Sequence, residues 1–401
     1  MTRVPVVLID HNGYDMYHDR GGRSFIPADR YAVRLVTDIA HLDQAHGPEL
    51  TSVVGVPKTD YRALADAATF QYSFGGQTAE RVIAVTERLL IPAAELRSKL
   101  GLAGPTVPET TLFRDKIAMK QHLRGHGITV PDFAQFSLEA VRELFRTHQV
   151  LIAKPRMGAG AENVFVLRSP SDAARFRTAH SASLDEFEIE EFVQGPLFHV
   201  DSVVQSGQVI AAAAGRYLDD ATSYRQLAPC RSISVGDGPL LDTLLDFNCH
   251  VISCYPGFTG VTHHEVFITQ EGPCFCEIAA RAGGGGVAAC FHSRTGINLH
   301  EVGIQAQLLD AVPSTIDISR HFTGWVAIYA DPGVLREPIE PLAEPWVIES
   351  KILAKPGAQL SSPGRCADAV AIISVTGDTE AEVISRLDTV VRTTVPVMSA
   401  G

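Results

Sequence analysis

A chain of 401 residues is too long for one ordinary compact core and long enough for roughly two or three domains. Hydrophobic residues make up 45% and charged residues 20%, which excludes a disordered chain. The formal net charge of −12 argues against a protein that coats nucleic acid, because phosphate contacts need a positive face. No stretch approaches the roughly 20 apolar residues of a membrane span. The opening residues, Met1 to Asp10, read as a buried strand rather than a signal peptide. A cytoplasmic protein with no membrane and no nucleic-acid partner is therefore expected.

Residues 1–105 alternate strand-like runs, Val4–Ile9 and Leu50–Val56, with helical spacing at 29–46, 82–90 and 93–100. This predicts a small parallel α/β unit. His11-Asn12-Gly13-Tyr14 holds one glycine and reads as an ordinary turn, and no Walker A sequence is present. Residues 106–312 carry most of the chemistry, with a smaller lid expected over 125–195. Within them, 116–124 has helical character and stops at Gly125 or Gly127. From Pro313 to residue 401 a closing α/β subdomain is expected, with strands at 325–329 and 370–375. Thr379 and Glu382 have the spacing of a capping box, and Ile384, Leu387 and Val391 recur behind them at helical intervals.

Two strand-like runs, Glu265-Val266-Phe267-Ile268 and Phe275-Cys276-Glu277-Ile278, flank the turn residues Gln270-Glu271-Gly272-Pro273. A hairpin folded about residue 271 sets Glu265 opposite Glu277. Like charges so placed lie about 4.5–5.5 Å apart at Cβ and destabilise the pair unless a cation joins them. Magnesium suits such a pair, being a hard ion held by one or two carboxylates and its substrate's phosphates. A solvated acidic hairpin is the competing reading. Arg281 lies on the same face if the strand continues, and Gly283-Gly284-Gly285-Gly286 beside it lets backbone approach a ligand. Arginine binds phosphate or carboxylate bidentately, and consecutive amides can form an anion nest.

Lys154 ends the buried run 150–155, and the turn 156–163, with Gly158 and Gly160, returns into another strand. Such a flap can close over phosphates with Lys154 at its base. It is not a dinucleotide fingerprint, because no helix directly follows. Lys116 begins a second basic site. Glu190-Glu191-Phe192-Val193 precede a Gly-Pro turn and a strand bearing His199 and Asp201 on one face. That segment can offer an apolar slot for adenine and polar partners for ribose, although an ordinary strand pair with a solvated acidic edge is the simpler account of it alone. Cys274 and Cys276 read as small core residues rather than a metal or redox site. Arg216, Arg225, Arg231 and His292 are candidates for a substrate carboxylate, with surface solvation the simpler account of each.

In this order the segments resemble the ATP-grasp superfamily, especially the branch of biotin carboxylase-like enzymes and bacterial L-amino acid ligases. The resemblance covers residues 90–310 and rests on Asp115-Lys116, Lys154 with its glycine turn, Glu190-Glu191-Phe192-Val193, Glu265, and Glu277-Ile278-Ala279-Ala280-Arg281. It implies an α/β ATP-grasp fold with an N-terminal Rossmann-like domain and a C-terminal α/β subdomain. It implies ATP and Mg2+ (or Mn2+) as cofactors. Lys116, Lys154, Gly158 and Gly160 would contact phosphates, and Glu190, Glu191, Phe192 and Val193 the adenine. Glu265 and Glu277 would hold metal, and Arg281 and Lys154 would serve catalysis. Two positions depart from the family: Ala279 stands where many relatives have a metal-binding Asn, and Leu197 where many have a ribose-binding Glu. His199 or Asp201 is expected to take the ribose. The implied activity is an ATP-dependent carboxylate–amine ligase working through an acyl phosphate, with an amino acid as one substrate. A carrier-protein partner and a homodimer are left open. A non-catalytic or regulatory ATP-binding protein and a biotin carboxylase-like enzyme are the alternatives.

Overall fold

A computed structural model describes residues 2–220, 222–308, 312, 319 and 321–399. The expected boundary residue Pro313 lies outside the described residues. The N-terminal region folds as a parallel four-stranded sheet, in the spatial order Leu50–Val56, Tyr31–Asp38, Val4–Ile9, Arg81–Ile83. Helices Tyr61–Tyr72 and Leu90–Leu100 cover it, and the second ends at Gly101 in the left-handed conformation (φ 66°).

Two elements differ from expectation. Residues 31–38 form a central strand, not part of a helix, and only Ile39–Gln44 behind it is a short 3-10 turn. Residues 81–83 are a strand as well, and the helix starts at Leu90. A strand buried on both faces reads as an unbroken apolar run, whose period does not separate it from a buried helix. The β-branched residues of Val33-Arg34-Leu35-Val36-Thr37 favour the strand.

A second, antiparallel sheet has the order Phe133–Gln135, Phe187–Glu191, Leu151–Pro155, Phe165–Leu167. Helices Leu138–Leu144 and Pro170–Ala179 close its core around Phe136, Phe176 and Ile189. The largest sheet has eight antiparallel strands, running from Gly272–Ala279 through Gly260–Thr269, Leu197–Gln205, Gln208–Tyr217 and Cys230–Ser234 to Phe322–Ile328, Ala371–Gly377 and Val347–Ile352. The C-terminal strands thus continue the sheet that carries the two glutamates. Helix Glu380–Thr393 is capped by Thr379, whose hydroxyl accepts from the Glu382 amide. The reciprocal bond of a capping box is absent, since Glu382 accepts instead from the Asp378 amide. No helix of the described residues is long and apolar enough to cross a membrane.

Candidate active site

Glu265 does stand opposite Glu277, but for a different reason than a simple hairpin. The turn is Gln270-Glu271, with Thr269 opposite Gly272, and the ladder slips between Glu265 and Val266 so that Cys276 is an extra residue. The bulge restores the pairing that the two-residue turn would have offset by one. Glu265 accepts from the Tyr217 hydroxyl at 3.1 Å and lies 3.6 Å from His263 Nε2. Burial pushes the Glu265 carboxyl up, but His263 and Tyr217 outweigh it and hold the group at about 2.

Lys116 is the first residue of helix Lys116–Gly125, whose N-cap is Asp115. Its ammonium donates to Glu277 Oε1 at 3.0 Å and to the Gly158 carbonyl at 2.8 Å, joining the carboxylate pair to the glycine turn. Arg156 at the base of that turn pairs with Asp115 at 2.5 Å. Lys154 pairs with Glu190 at 2.5 Å and sits 3.7 Å from Glu188. Burial opposes its charge, yet Glu190 and the neighbouring acidic groups keep the ammonium well above the ordinary lysine range.

The structure adds Lys120, one helical turn after Lys116 and fully buried. It donates to both oxygens of Glu188 at 2.9 and 2.8 Å and to Glu190. Glu190 is accordingly held down at about 2, the two lysines outweighing its burial, whereas burial raises the Glu188 carboxyl. The i, i+4 spacing of Lys116 and Lys120 and the i, i+2 spacing of Glu188 and Glu190 were the available sequence signals.

The expected adenine segment divides by strand alternation. Glu190 points into the lysine cluster, and Glu191 points away, accepting from the Asp132 amide at 2.9 Å and meeting His148 at 3.1 Å. Phe192 is exposed. Among the described residues, the Val193 amide has no intramolecular acceptor. The segment thus leaves the Val193 amide and the Phe192 ring open, while both carboxylates are engaged with protein partners. His199 and Asp201 are buried and bonded to each other (Nδ1 to Oδ2, 2.6 Å), while Asp201 Oδ1 takes His263 Nδ1 at 2.7 Å and His199 Nε2 meets Ser232 at 2.9 Å. Strand register sets His199 beside Glu265 and Asp201 beside His263, so the four share a face.

Arg281 reaches the site differently than expected, because the strand ends at Ala279. It is held by Glu87, from the N-terminal region, which also binds Arg114. Burial raises the Glu87 carboxyl, but Arg281 and Arg114 overcome this and hold it at about 2. No sequence signal marked Glu87, which lies far from its partners along the chain. The glycine run is shaped by close approach. A Cβ at Gly283 would lie 2.7 Å from His263 Nδ1, and one at Gly286 would lie 2.3 Å from Trp325 Cβ, whereas Gly284 has open space. Ala279 is buried opposite His263. Cys274 and Cys276 are free and buried. Arg216 pairs with Glu380, Arg231 with Asp219 and Asp388, and Arg225 donates to Tyr224.

Residues 113–285 match the ATP-grasp domain family. The L-arginine-specific L-amino acid ligase of Bacillus subtilis is 24% identical over 275 residues, 65% of this chain and 66% of that protein, so the chain spans just under two thirds of that relative's length. The L-amino acid ligase from Bacillus licheniformis superposes with a TM-score of 0.79 at 18% identity, covering 100% of both chains. Carboxyaminoimidazole ribonucleotide synthase from Aspergillus clavatus, complexed with ATP, superposes at 0.72 with 16% identity over 98% of this chain and 99% of that one. Biotin carboxylase from Campylobacter jejuni gives 0.71 at 16% identity over 98% and 92%. Residues 113–285 therefore carry the match to the ATP-grasp domain family, and the chain as a whole has the fold of the L-amino acid ligase from Bacillus licheniformis.

Proposed function

We propose that the chain is an ATP-dependent ligase that activates a carboxylic acid as an acyl phosphate and joins it to an amine, with an amino acid as one substrate. The observation that carries this reading is the convergence of Lys116, Glu277 and Glu265 on one sheet face, with Lys154 and the 156–163 turn beside them and Arg281 at the end of the strand. The Bacillus subtilis relative supports the substrate class.

Glu265 and Glu277 offer two hard oxygen donors facing each other, Glu265 ionised by its neighbours, and this set fits Mg2+ or Mn2+. Bound there, such an ion would neutralise charge on the triphosphate. Lys116 and Lys154 neutralise phosphate oxygens, and Gly158 and Gly160 let the turn lie against them. Phe192 and Val193 receive the adenine, and His199 and Asp201 are the polar groups nearest a ribose role. A substrate carboxylate oxygen attacks the γ-phosphorus and ADP leaves. The amine nitrogen then attacks the acyl carbon, phosphate departs, and nitrogen loses a proton. Arg281 faces the reacting phosphate and stabilises the oxyanion. The three-part division at 105 and 312 belongs to the same proposal.

The test is ADP release with ATP and Mg2+ against pooled amino acids and small carboxylic acids, with product mass determined. A mass gain equal to condensation names the substrates and shows whether a free acid suffices without a carrier protein. ATP binding without acid-dependent ADP release favours the second reading, a nucleotide-binding protein without catalysis, which rests on Ala279.

A further inference from the structure

The turn 156–163 is anchored at its base by Lys116 and Arg114, which donate to the Gly158 and Met157 carbonyls. Its tip is held by residues distant in sequence. The Gly160 carbonyl accepts from the Cys366 amide at 3.0 Å, and the Ala161 carbonyl meets the Tyr224 hydroxyl at 2.9 Å. Glu162 pairs with Arg88 of the N-terminal region.

Tyr224 is fully buried, and its hydroxyl lies 3.1 Å from the Gly364 carbonyl as well. Its oxygen accepts from Arg225 Nε at 3.3 Å. Tyr329 stands nearby, with ring centroids 6.2 Å apart, and donates to the Cys366 carbonyl at 3.0 Å. Residues 364–368 therefore form a strap held to the large sheet on one side and to the flap tip on the other. Asp368 stiffens the strap by accepting from the Gly364 amide at 2.9 Å and Arg365 Nε at 3.0 Å.

The tip itself is conformationally disfavoured. Ala161 (φ 56°) and Asn163 (φ 53°) are both non-glycine residues in the left-handed region, which L side chains adopt uncommonly. Contacts from outside must offset that preference, and they come from Tyr224, Cys366 and Arg88.

We propose that Tyr224 is a positioning residue, a latch that ties the flap tip to the 364–368 strap and so keeps the flap closed while the acyl phosphate exists. This rests on the ligase reading above. The intermediate has two fates. An amine forms the carbon–nitrogen bond and expels phosphate. Water instead forms a carbon–oxygen bond, expels phosphate and regenerates the acid, so ATP is spent without product. A loosened latch shifts the balance toward water.

The test is Tyr224→Phe, which keeps the buried ring and removes only the hydroxyl. Hydrogen exchange of residues 157–163 in the presence of MgATP is expected to speed up about fivefold, the population shift from one hydrogen bond of ordinary net strength. ADP formed per amide formed is expected to rise with it. Tyr329→Phe, which frees the strap without touching the flap, should raise both in smaller measure. Unchanged flap exchange overturns the latch, and so does faster exchange with an unchanged ADP-to-amide ratio. If the native protein makes no product from any acid and amine, the ligase reading fails and the protective role with it, while the exchange measurement separately decides whether Tyr224 holds the flap tip.

Discussion

Replacing Lys120 with Met tests the buried charge cluster most directly. Lys120 and Lys154 face Glu188 and Glu190, two cations against two carboxylates, with Lys120 and Glu188 wholly shielded from water. Methionine keeps an unbranched side chain, one atom shorter, but leaves one carboxylate without a counter-charge. Breaking a buried pair by removing one partner costs about 3–5 kcal/mol. Lys154 would be drawn from Glu190 toward Glu188, so ATP affinity is expected to fall as well. The assay is urea unfolding of the single variant and of Lys120→Met combined with Glu188→Gln, which restores charge balance. The double variant should recover about 1–3 kcal/mol, as coupled neighbours do. A loss below about 1 kcal/mol for the single variant, the worth of an exposed pair, refutes the reasoning. So does a double variant no more stable than the single.

Further outcomes follow from the same geometry. Glu277→Gln should abolish ADP formation, and near-normal turnover in a steady-state assay would sink the metal assignment. Gly286→Ala places a methyl group 2.3 Å from Trp325 Cβ and 2.4 Å from Ser374 Oγ, whereas Gly284→Ala meets open space. The first should cost about 1–3 kcal/mol and the second far less, read by thermal unfolding, and equal losses contradict the packing argument. Glu87 and Glu190 are depressed to about 2 from the ordinary 4.5. Between those values the unfolded chain binds more protons than the folded one, so their stabilisation is present above about pH 4.5 and lost as pH falls toward 2. In Glu190→Gln the slope of stability against pH in that acid window should flatten, and an unaltered slope would show that Glu190 does not supply it.

Local pattern carried much of this protein. The helix at Lys116–Gly125 is legible because residues 116–124 have helical character and a glycine follows them. The facing glutamates are legible because side chains alternate along strands and turn residues mark the reversal. The lysine–glycine turn and the order of the charged segments needed no knowledge of distant contacts, and they pointed to the superfamily.

Tertiary structure decided the rest. Residues 31–38 became a strand because a parallel sheet buried them between Val4–Ile9 and Leu50–Val56, which no local period announces. The bulge at Cys276 kept Glu265 opposite Glu277, although the turn centre was expected half a residue later. Lys120 looked like one more helix lysine until Glu188 and Glu190 closed on it from another strand. Arg281 was named from its neighbourhood in sequence, yet its place is set by Glu87, 194 residues earlier. Sequence determines what each residue favours within a turn or two of chain, through sterics and side-chain period. Which charges meet in a buried site depends on contacts between distant segments, and their burial and pairing exist only once the chain has folded.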